Sequence, residues 1–183
     1  MLINHKEKII IYTPFKNYST SMTNYFSDFD EWERFLGIHP RIDGDCYDVD
    51  QNYSLSGIHG NIPPSRYISY KKILPLRNPY DRVLSMWKWA CGYSGFFSFD
   101  NFFYKGAKYP TTFPVSRLYP HDFIVKTENL IQDLADHGID IDEDKFPHFN
   151  MSNSDIKHTL TEVEKEIIYW WHKEDFDIGN YEK

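Results

Sequence analysis

The chain has 183 residues, about the length of one domain, and its 41% hydrophobic and 26% charged residues exclude a wholly disordered protein. The formal net charge is -7 and the pI is about 5.6, which argues against a large non-specific nucleic-acid surface, since such a surface needs a basic face. A small anionic ligand remains compatible with this charge, because its pocket needs only a few cations and backbone amides.

Cysteine content and hydropathy predict a reduced, cytoplasmic protein. Two cysteines, Cys46 and Cys91, cannot build a disulfide scaffold. The apolar run near the start of the chain is too short for a signal-peptide core, and no stretch approaches the roughly 20 apolar residues of a membrane span. Without repeats or linkers, residues 1–183 are expected to form a single domain with no membrane or nucleic-acid partner.

The first half of the chain predicts two strand–loop–helix units. A β-branched run over residues 8–13 predicts a buried strand, and helical periodicity begins at Ser19. Residues 31–65 lack periodicity, apart from a short predicted helix around Asp30 to Leu36. A second buried strand is predicted over residues 72–77, in which Pro75 favours an edge position or a bulge. A helix over residues 80–90 follows it.

The second half continues the alternation of helices and strands. Short helical periodicity over residues 98–103 precedes a third strand over 122–126 and a helix over 127–137 that Gly138 terminates. Thr161 and Glu164 have the spacing of a capping box at the start of the last helix. The alternation predicts an α/β fold with a central parallel sheet and with ligand-binding loops at the carboxyl ends of its strands.

The loop between the first strand and its helix has the composition of an anion-binding site. It contains Lys16 and three consecutive hydroxyl residues, and a helix N-terminus offers N–H groups to a phosphate or sulfate. It lacks the glycines of a Walker A loop, so the sequence does not indicate ATP hydrolysis. A helix with a Ser/Thr cap and a surface lysine is the alternative interpretation.

The second strand–loop–helix contains Arg77 at the predicted end of the strand and Ser85 two turns into the helix. A guanidinium and a hydroxyl that converge from the two elements would make a second phosphate clamp. Arg82, in the same segment, is interpreted as a partner of nearby surface acids such as Asp81.

Together these two segments resemble the nucleotide-binding motifs of sulfotransferases. The pattern Lys-x-x-Ser-Thr-Ser after the first strand, with Leu-Arg-Asn-Pro-Tyr-Asp-Arg-Val-Leu-Ser after the second, is most similar to the carbohydrate branch, which includes heparan 2-O- and chondroitin/dermatan 4-O-sulfotransferases. Further similar segments follow in the order of the family: Ser98–Phe103, Ile124–Leu130, Pro147–Ser152 and Asp175–Tyr181.

The resemblance implies a P-loop-like three-layer α/β fold and 3′-phosphoadenosine-5′-phosphosulfate (PAPS) as the sulfuryl donor, with adenosine 3′,5′-bisphosphate as its product and no metal ion. It implies that the first loop cradles the 5′-phosphosulfate, that Arg77 and Ser85 hold the 3′-phosphate, and that Asn150 and Ser152 contact the nucleotide. The implied residues of the first loop are Lys16, Asn17, Tyr18, Ser19, Thr20 and Ser21.

Transfer to a hydroxyl acceptor, expected to be a carbohydrate, needs a base for the acceptor proton and positive charge near the leaving phosphate. Lys16 suits the second role. His59, flanked by glycines in a segment before the Arg77 strand, is the candidate base because its imidazole titrates near neutral pH. A surface histidine is its alternative interpretation. Glu128 is the rival base, although a helix cap is its more natural role.

Two other functions stay open. One is a nucleotide-dependent phosphotransferase of P-loop type, which the missing Walker glycines and the lack of an evident Mg²⁺-binding acid disfavour. The other is a nucleotide-binding protein without catalytic activity. Residues 140–144 resemble a calcium loop only superficially, and no His/Cys spacing indicates zinc, so no metal site is expected.

Overall fold

A computed structural model describes residues 1–14, 16–34, 64–94, 98–105, 114–147 and 157–183. Its sheet has five strands in the spatial order β3-β1-β2-β4-β5. The strands are β1 (Leu2–Asn4), β2 (Ile9–Ile11), β3 (Trp32–Arg34), β4 (Lys71–Leu76) and β5 (Phe123–Lys126).

The sheet is mixed. Strand β4 pairs in parallel with both β2 and β5, with Ile11 opposite Ile73 and Leu76 opposite Lys126. Strand β1 is antiparallel to both of its neighbours, β2 and β3. The predicted α/β class and the three predicted parallel strands are confirmed, whereas β1 and β3 were not predicted.

Eight α-helices lie in the described part of the chain. They are α1 (Ser19–Phe26), α2 (Pro64–Ser69), α3 (Pro79–Ser94), α4 (Phe99–Lys105), α5 (Val115–Leu118), α6 (Leu130–Asp136), α7 (Glu162–Trp171) and α8 (Lys173–Gly179). Short 3₁₀ helices occupy Thr127–Asn129 and Glu143–Lys145. Within these residues, no helix has both the length and the apolar character needed to cross a membrane.

Buried clusters cover both faces of the sheet. One contains Ile9, Ile11, Ile73 and Val125 packed with residues of α1 and α6. Another contains the alternate side chains Ile3, Ile10, Leu74 and Leu76, packed with Tyr67 of α2 and Val115 of α5. Because successive side chains of a strand point to opposite faces, helices lie on both sides of the sheet. A third cluster joins α3, α4, α7 and α8.

The predicted edge position of Pro75 is wrong, because β4 pairs on both sides. The main-chain groups of Ile73 point towards β2, since the Ile73 carbonyl accepts from Tyr12 N at 2.9 Å. The main-chain groups of successive strand residues point alternately to one neighbouring strand and to the other, so the main-chain groups of Pro75 also point towards β2. In a parallel ladder the N–H at this position would donate to the Tyr12 carbonyl, so Pro75, which has no N–H, ends the ladder between β2 and β4 at this point.

The predicted helix over residues 30–36 is also wrong where the structure describes it, because Trp32–Arg34 is strand β3 and pairs with Leu2–Asn4. A three-residue strand is too short to show a period-2 pattern. One end of each of two helices, α7 and α6, follows its sequence signal. Thr161 and Glu164 form the predicted capping box of α7, and Gly138 follows α6 with a φ of 81°.

Candidate functional site: a cationic loop cluster at the strand ends

Three loops meet where the parallel strands β2, β4 and β5 end. The first leads from β2 into α1, the second joins β4 to α3 through Arg77 and Asn78, and the third begins with the 3₁₀ turn after β5. Ligands of open α/β sheets bind at the carboxyl ends of the strands. Lys16 and Arg77, two of the site residues predicted from the sequence, lie in the first and the second of these loops.

Asn17 fastens the first loop to the sheet. Its side chain is completely buried, and its Nδ2 donates to the Pro75 carbonyl at 2.9 Å. This carbonyl lies beyond the last residue of β2, so the Asn17 side chain supplies the hydrogen bond that a further residue of β2 would have donated. The Asn17 Oδ1 is buried and has no hydrogen-bond partner among the described residues. The observed role of the side chain is therefore to position the loop, and its predicted contact with a cofactor stays a prediction.

Lys16 and Arg77 bring two positive charges to this point. Arg77 Nη1 donates to the Lys16 carbonyl at 3.4 Å. Burial, and secondarily the charge of Arg77, lower the pKa of the Lys16 ammonium to about 8. Both effects penalise its charged form, and an anion bound between the two side chains would offset both.

The N-terminus of α1 lies directly after this pair. Tyr18 is its cap residue in a left-handed conformation, with a φ of 58°, and no side chain caps the helix. The first turn contains no acidic residue, and the first helical bond joins Met22 N to the Tyr18 carbonyl. The amides before Met22 therefore have the arrangement that binds anions at a helix start.

The three hydroxyl residues of the first turn differ in exposure. Ser19 and Ser21 are buried, while Thr20 is exposed. Tyr18 is 36% exposed, so its bulky ring extends outwards from the tight turn. These four residues contribute the helix start predicted for them, and contact with a ligand remains a prediction for each.

Helix α3 faces the first loop through Trp89. The Lys16 Nζ lies 5.9 Å from the centroid of the Trp89 ring, within the range of a cation–π contact. Ser85 precedes Trp89 by four residues and so lies on the same face of α3, where it is half-buried. The structure thus brings the Ser85 face of the helix towards Lys16. The sequence predicts mainly a core role for Trp89; its contact with Lys16 was not predicted, although the four-residue spacing from Ser85 was a usable signal.

Glu128 joins the second and third loops. Its Oε1 accepts from the Asn78 amide at 2.9 Å and its Oε2 from the Tyr181 hydroxyl at 2.9 Å. The Tyr181 oxygen also lies 3.0 Å from the Leu76 carbonyl. Glu128 therefore satisfies an amide at the start of α3 rather than at the start of its own helix. Burial and the Glu128 charge together raise the pKa of Tyr181.

Arg82 is buried, contrary to its interpretation as a surface residue. Its Nη2 lies 3.0 Å from His172 Nδ1 and 3.9 Å from the Asp175 carboxylate, and all three side chains are almost completely buried. Asp175 also accepts hydrogen bonds from the Val115 and Ser116 amides. This network fixes α8 against α3 and α5, and so supports the segment that follows Arg77.

Three predicted site residues, His59, Asn150 and Ser152, lie outside the described residues. Among those that are described, Lys16, Tyr18, Arg77 and Ser85 belong to the loops and the helix face that converge at the strand ends. No group of three or more His, Cys, Asp or Glu side chains within the same ranges could hold a metal ion.

A scan of the chain against protein-family models, a search of curated proteins and a search of solved structures each found no match.

Proposed function

We propose that this chain is a PAPS-dependent sulfotransferase, which moves a sulfuryl group from PAPS to a hydroxyl of a carbohydrate. The observation that carries the proposal is the approach of Arg77 to Lys16 at the start of α1, where burial first, and the charge of Arg77 second, lower the pKa of the Lys16 ammonium to about 8. Two mutually repelling cations beside uncapped helix amides suit a ligand with several negative charges. PAPS has this character, and the sequence motifs resemble those of enzymes that use it.

The proposal includes a P-loop-like three-layer architecture. Its support is the order of elements, in which β2 leads through a phosphate-type loop into α1, and the parallel neighbours β4 and β5 also end at the site. Helices on both faces of the sheet supply the outer layers. The antiparallel β1 and β3 extend one edge, away from the Arg77 loop.

When bound, PAPS supplies a sulfuryl group activated by a phosphate leaving group. In the proposed reaction the acceptor oxygen forms a bond to sulfur as the sulfur–oxygen bond to the phosphate breaks. Lys16 and the first-turn amides of α1 stabilise the charge that develops on the leaving phosphate. Arg77 and Ser85 bind the 3′-phosphate, and the acceptor proton passes to the base, for which His59 stays the candidate.

Lys16 and the helix amides supply positive charge in this scheme without a metal ion, and we expect activity to survive a chelator. Glu128 is a weaker candidate for the base than its sequence position indicated, because both of its oxygens already accept hydrogen bonds. A carboxylate held in this way joins the start of α3 to the C-terminal segment that contains Tyr181. We assign Glu128 a positioning role.

The test is transfer of labelled sulfate from PAPS to heparan and chondroitin backbones, the acceptors that the resemblance favours. We expect transfer by the unmodified chain and its loss in Lys16→Ala. Lys145→Ala, which removes an exposed lysine paired with Asp142, is the matched control and should stay active. Nucleotide binding without transfer to any acceptor would favour the catalytically inactive binding protein. Mg²⁺-dependent transfer of phosphate from ATP would favour the phosphotransferase.

A further inference from the structure

We propose a second binding site, for a small organic cation of the alkylammonium class, at the opposite end of β2 from Lys16. An open cavity of about 250 Å³ lies there. Its lining includes Asn4 and Ile9, which flank the turn between β1 and β2, and Gly138, which follows α6. The cavity is therefore separate from the loops at the carboxyl ends of the parallel strands.

Four aromatic rings form one side of this cavity. Tyr25 and Phe26, at the end of α1, are buried, while Trp32 is half-buried and Phe29 is 38% exposed. The rings are connected: the centroids of Tyr25 and Phe29 lie 5.2 Å apart, and those of Phe26 and Trp32 lie 4.4 Å apart. A cation over the face of an aromatic ring is attracted by the quadrupole of the ring, and quaternary ammonium groups are a class of ligand that aromatic side chains recognise.

The charged residues of the cavity are all acidic. Glu7, Glu31 and Asp140 line it, and no described lysine, arginine or histidine does. Glu31 and Asp140 take part in none of the ion pairs found within the described ranges. Glu7 lies 4.0 Å from Lys6, but both side chains are well exposed and their attraction is weak.

Two helices end at the same place. Tyr25 and Phe26 belong to the last turn of α1, and Gly138 comes two residues after the end of α6. Neither helix has a basic residue in its last turn, so the partial negative charge of each C-terminus is not offset there. The carboxylates and the helix ends at this cavity therefore carry negative charge, and aromatic rings lie beside them. This charge favours a cation over an anion, and over a neutral sugar that the rings alone could accept.

The test is a calorimetric and NMR titration of the full chain with choline and with 3,3-dimethylbutan-1-ol, its neutral isostere. We expect choline to bind at least about ten-fold more tightly than the isostere. The double variant Glu31→Gln/Asp140→Asn should weaken choline binding by a similar factor, because it removes charge from two exposed side chains without removing volume. Glu143→Gln/Asp144→Asn, two exposed acids outside the cavity, is the matched control and should bind choline normally.

Equal affinity for choline and its isostere would overturn the proposal, and so would equal binding of glucose, which would indicate a sugar site. No response to choline at concentrations on the order of 50 mM would also overturn it. Phe29→Ala gives a second check on the rings, since this side chain is partly exposed and its loss should weaken choline binding. None of these readouts depends on nucleotide binding, so Lys16→Ala should bind choline like the unmodified chain.

Discussion

The Asn17 side-chain amide donates a 2.9 Å hydrogen bond to the carbonyl of Pro75, and this contact joins the loop after β2 to the neighbouring strand. The loop can leave the sheet after Tyr12 because the side chain of Asn17, rather than another strand residue, meets the free carbonyl of β4. The same contact fixes the position of Lys16, one residue earlier, relative to Arg77, two residues after Pro75. Loop conformation and charge placement are therefore coupled.

Replacement of Asn17 should loosen this loop. In Asn17→Ala the Pro75 carbonyl loses its donor in a buried place, which costs about 1–3 kcal/mol of unfolding free energy. Chemical denaturation measures this loss, and affinity for adenosine 3′,5′-bisphosphate should fall as well because Lys16 is no longer held. Asn24→Ala is the control, because it removes an exposed asparagine of α1 whose side chain donates to the Thr20 carbonyl. Its effect on stability and affinity should be small. Unchanged stability and affinity in Asn17→Ala would contradict the assigned role.

Nucleotide affinity should depend on pH through Lys16. Its pKa lies at about 8 in the free protein, and a bound anion moves that pKa back towards the ordinary value of 10.5. Binding therefore takes up a proton above about pH 8. Affinity for adenosine 3′,5′-bisphosphate should fall about ten-fold or more between pH 7 and about pH 9.5. Titration calorimetry at several pH values measures this fall in affinity.

Lys16→Arg supplies the control for the pH dependence, because a guanidinium stays charged throughout this range. Its affinity should be nearly flat between pH 7 and about pH 9.5. A flat profile in the unmodified chain would show that the Lys16 ammonium does not meet the ligand.

The charge on Lys16 should also reduce the stability of the free protein. Its pKa is lower in the folded than in the unfolded chain, so the unfolded chain binds more protons between about pH 8 and 10.5. The penalty is complete below pH 8 and is relieved as the pH rises through this window. Lys16→Met should thus raise the thermal midpoint at pH 7, with a smaller gain near pH 10, while it abolishes nucleotide binding. A lower thermal midpoint of Lys16→Met at pH 7 would contradict the claim that the charged Lys16 side chain destabilises the free protein.

Strands with several consecutive apolar residues were predictable from the sequence, whereas the short edge strands were not. The β-branched residues 9–11 and the apolar residues of β4 are buried on both faces, which gives a strong composition signal. Trp32, Glu33 and Arg34 form a strand only because β1 offers an edge to them. Such pairing depends on tertiary context, and a segment of three residues is too short to show a recognisable strand pattern in its sequence.

In the candidate site, too, local features were predictable from the sequence and long-range contacts were not. Two of its three loops were predicted from the Lys16 and Arg77 motifs, because a cation next to a strand end is a local feature of the sequence. The roles of Asn17 and Glu128 depend on contacts across 58 and 50 residues. The burial of Arg82 depends on His172, 90 residues away. Local patterns carry no information about partners at such separations.

His59 remains the candidate for the general base. His59→Ala should leave nucleotide affinity nearly unchanged and reduce turnover by roughly 10²–10⁴, the usual contribution of a positioned base. The transfer rate of the unmodified chain should rise with pH through the imidazole pKa, and this rise should disappear in the variant. Circular dichroism on the same sample establishes that the variant is folded. A folded variant with at least half of the normal rate would assign the base to another residue.

The most direct test of the proposed function is titration calorimetry of the unmodified chain with adenosine 3′,5′-bisphosphate and with ATP. In the proposed site Arg77 would give the 3′-phosphate a charge-assisted partner, and such a contact is worth on the order of 1.5–3 kcal/mol, or about 10- to 150-fold in affinity. We predict that adenosine 3′,5′-bisphosphate binds more tightly by this factor, that Arg77→Ala removes the preference, and that Arg117→Ala, which removes an exposed arginine paired with Glu174, keeps it. Equal affinity of the unmodified chain for the two nucleotides would contradict the proposed function.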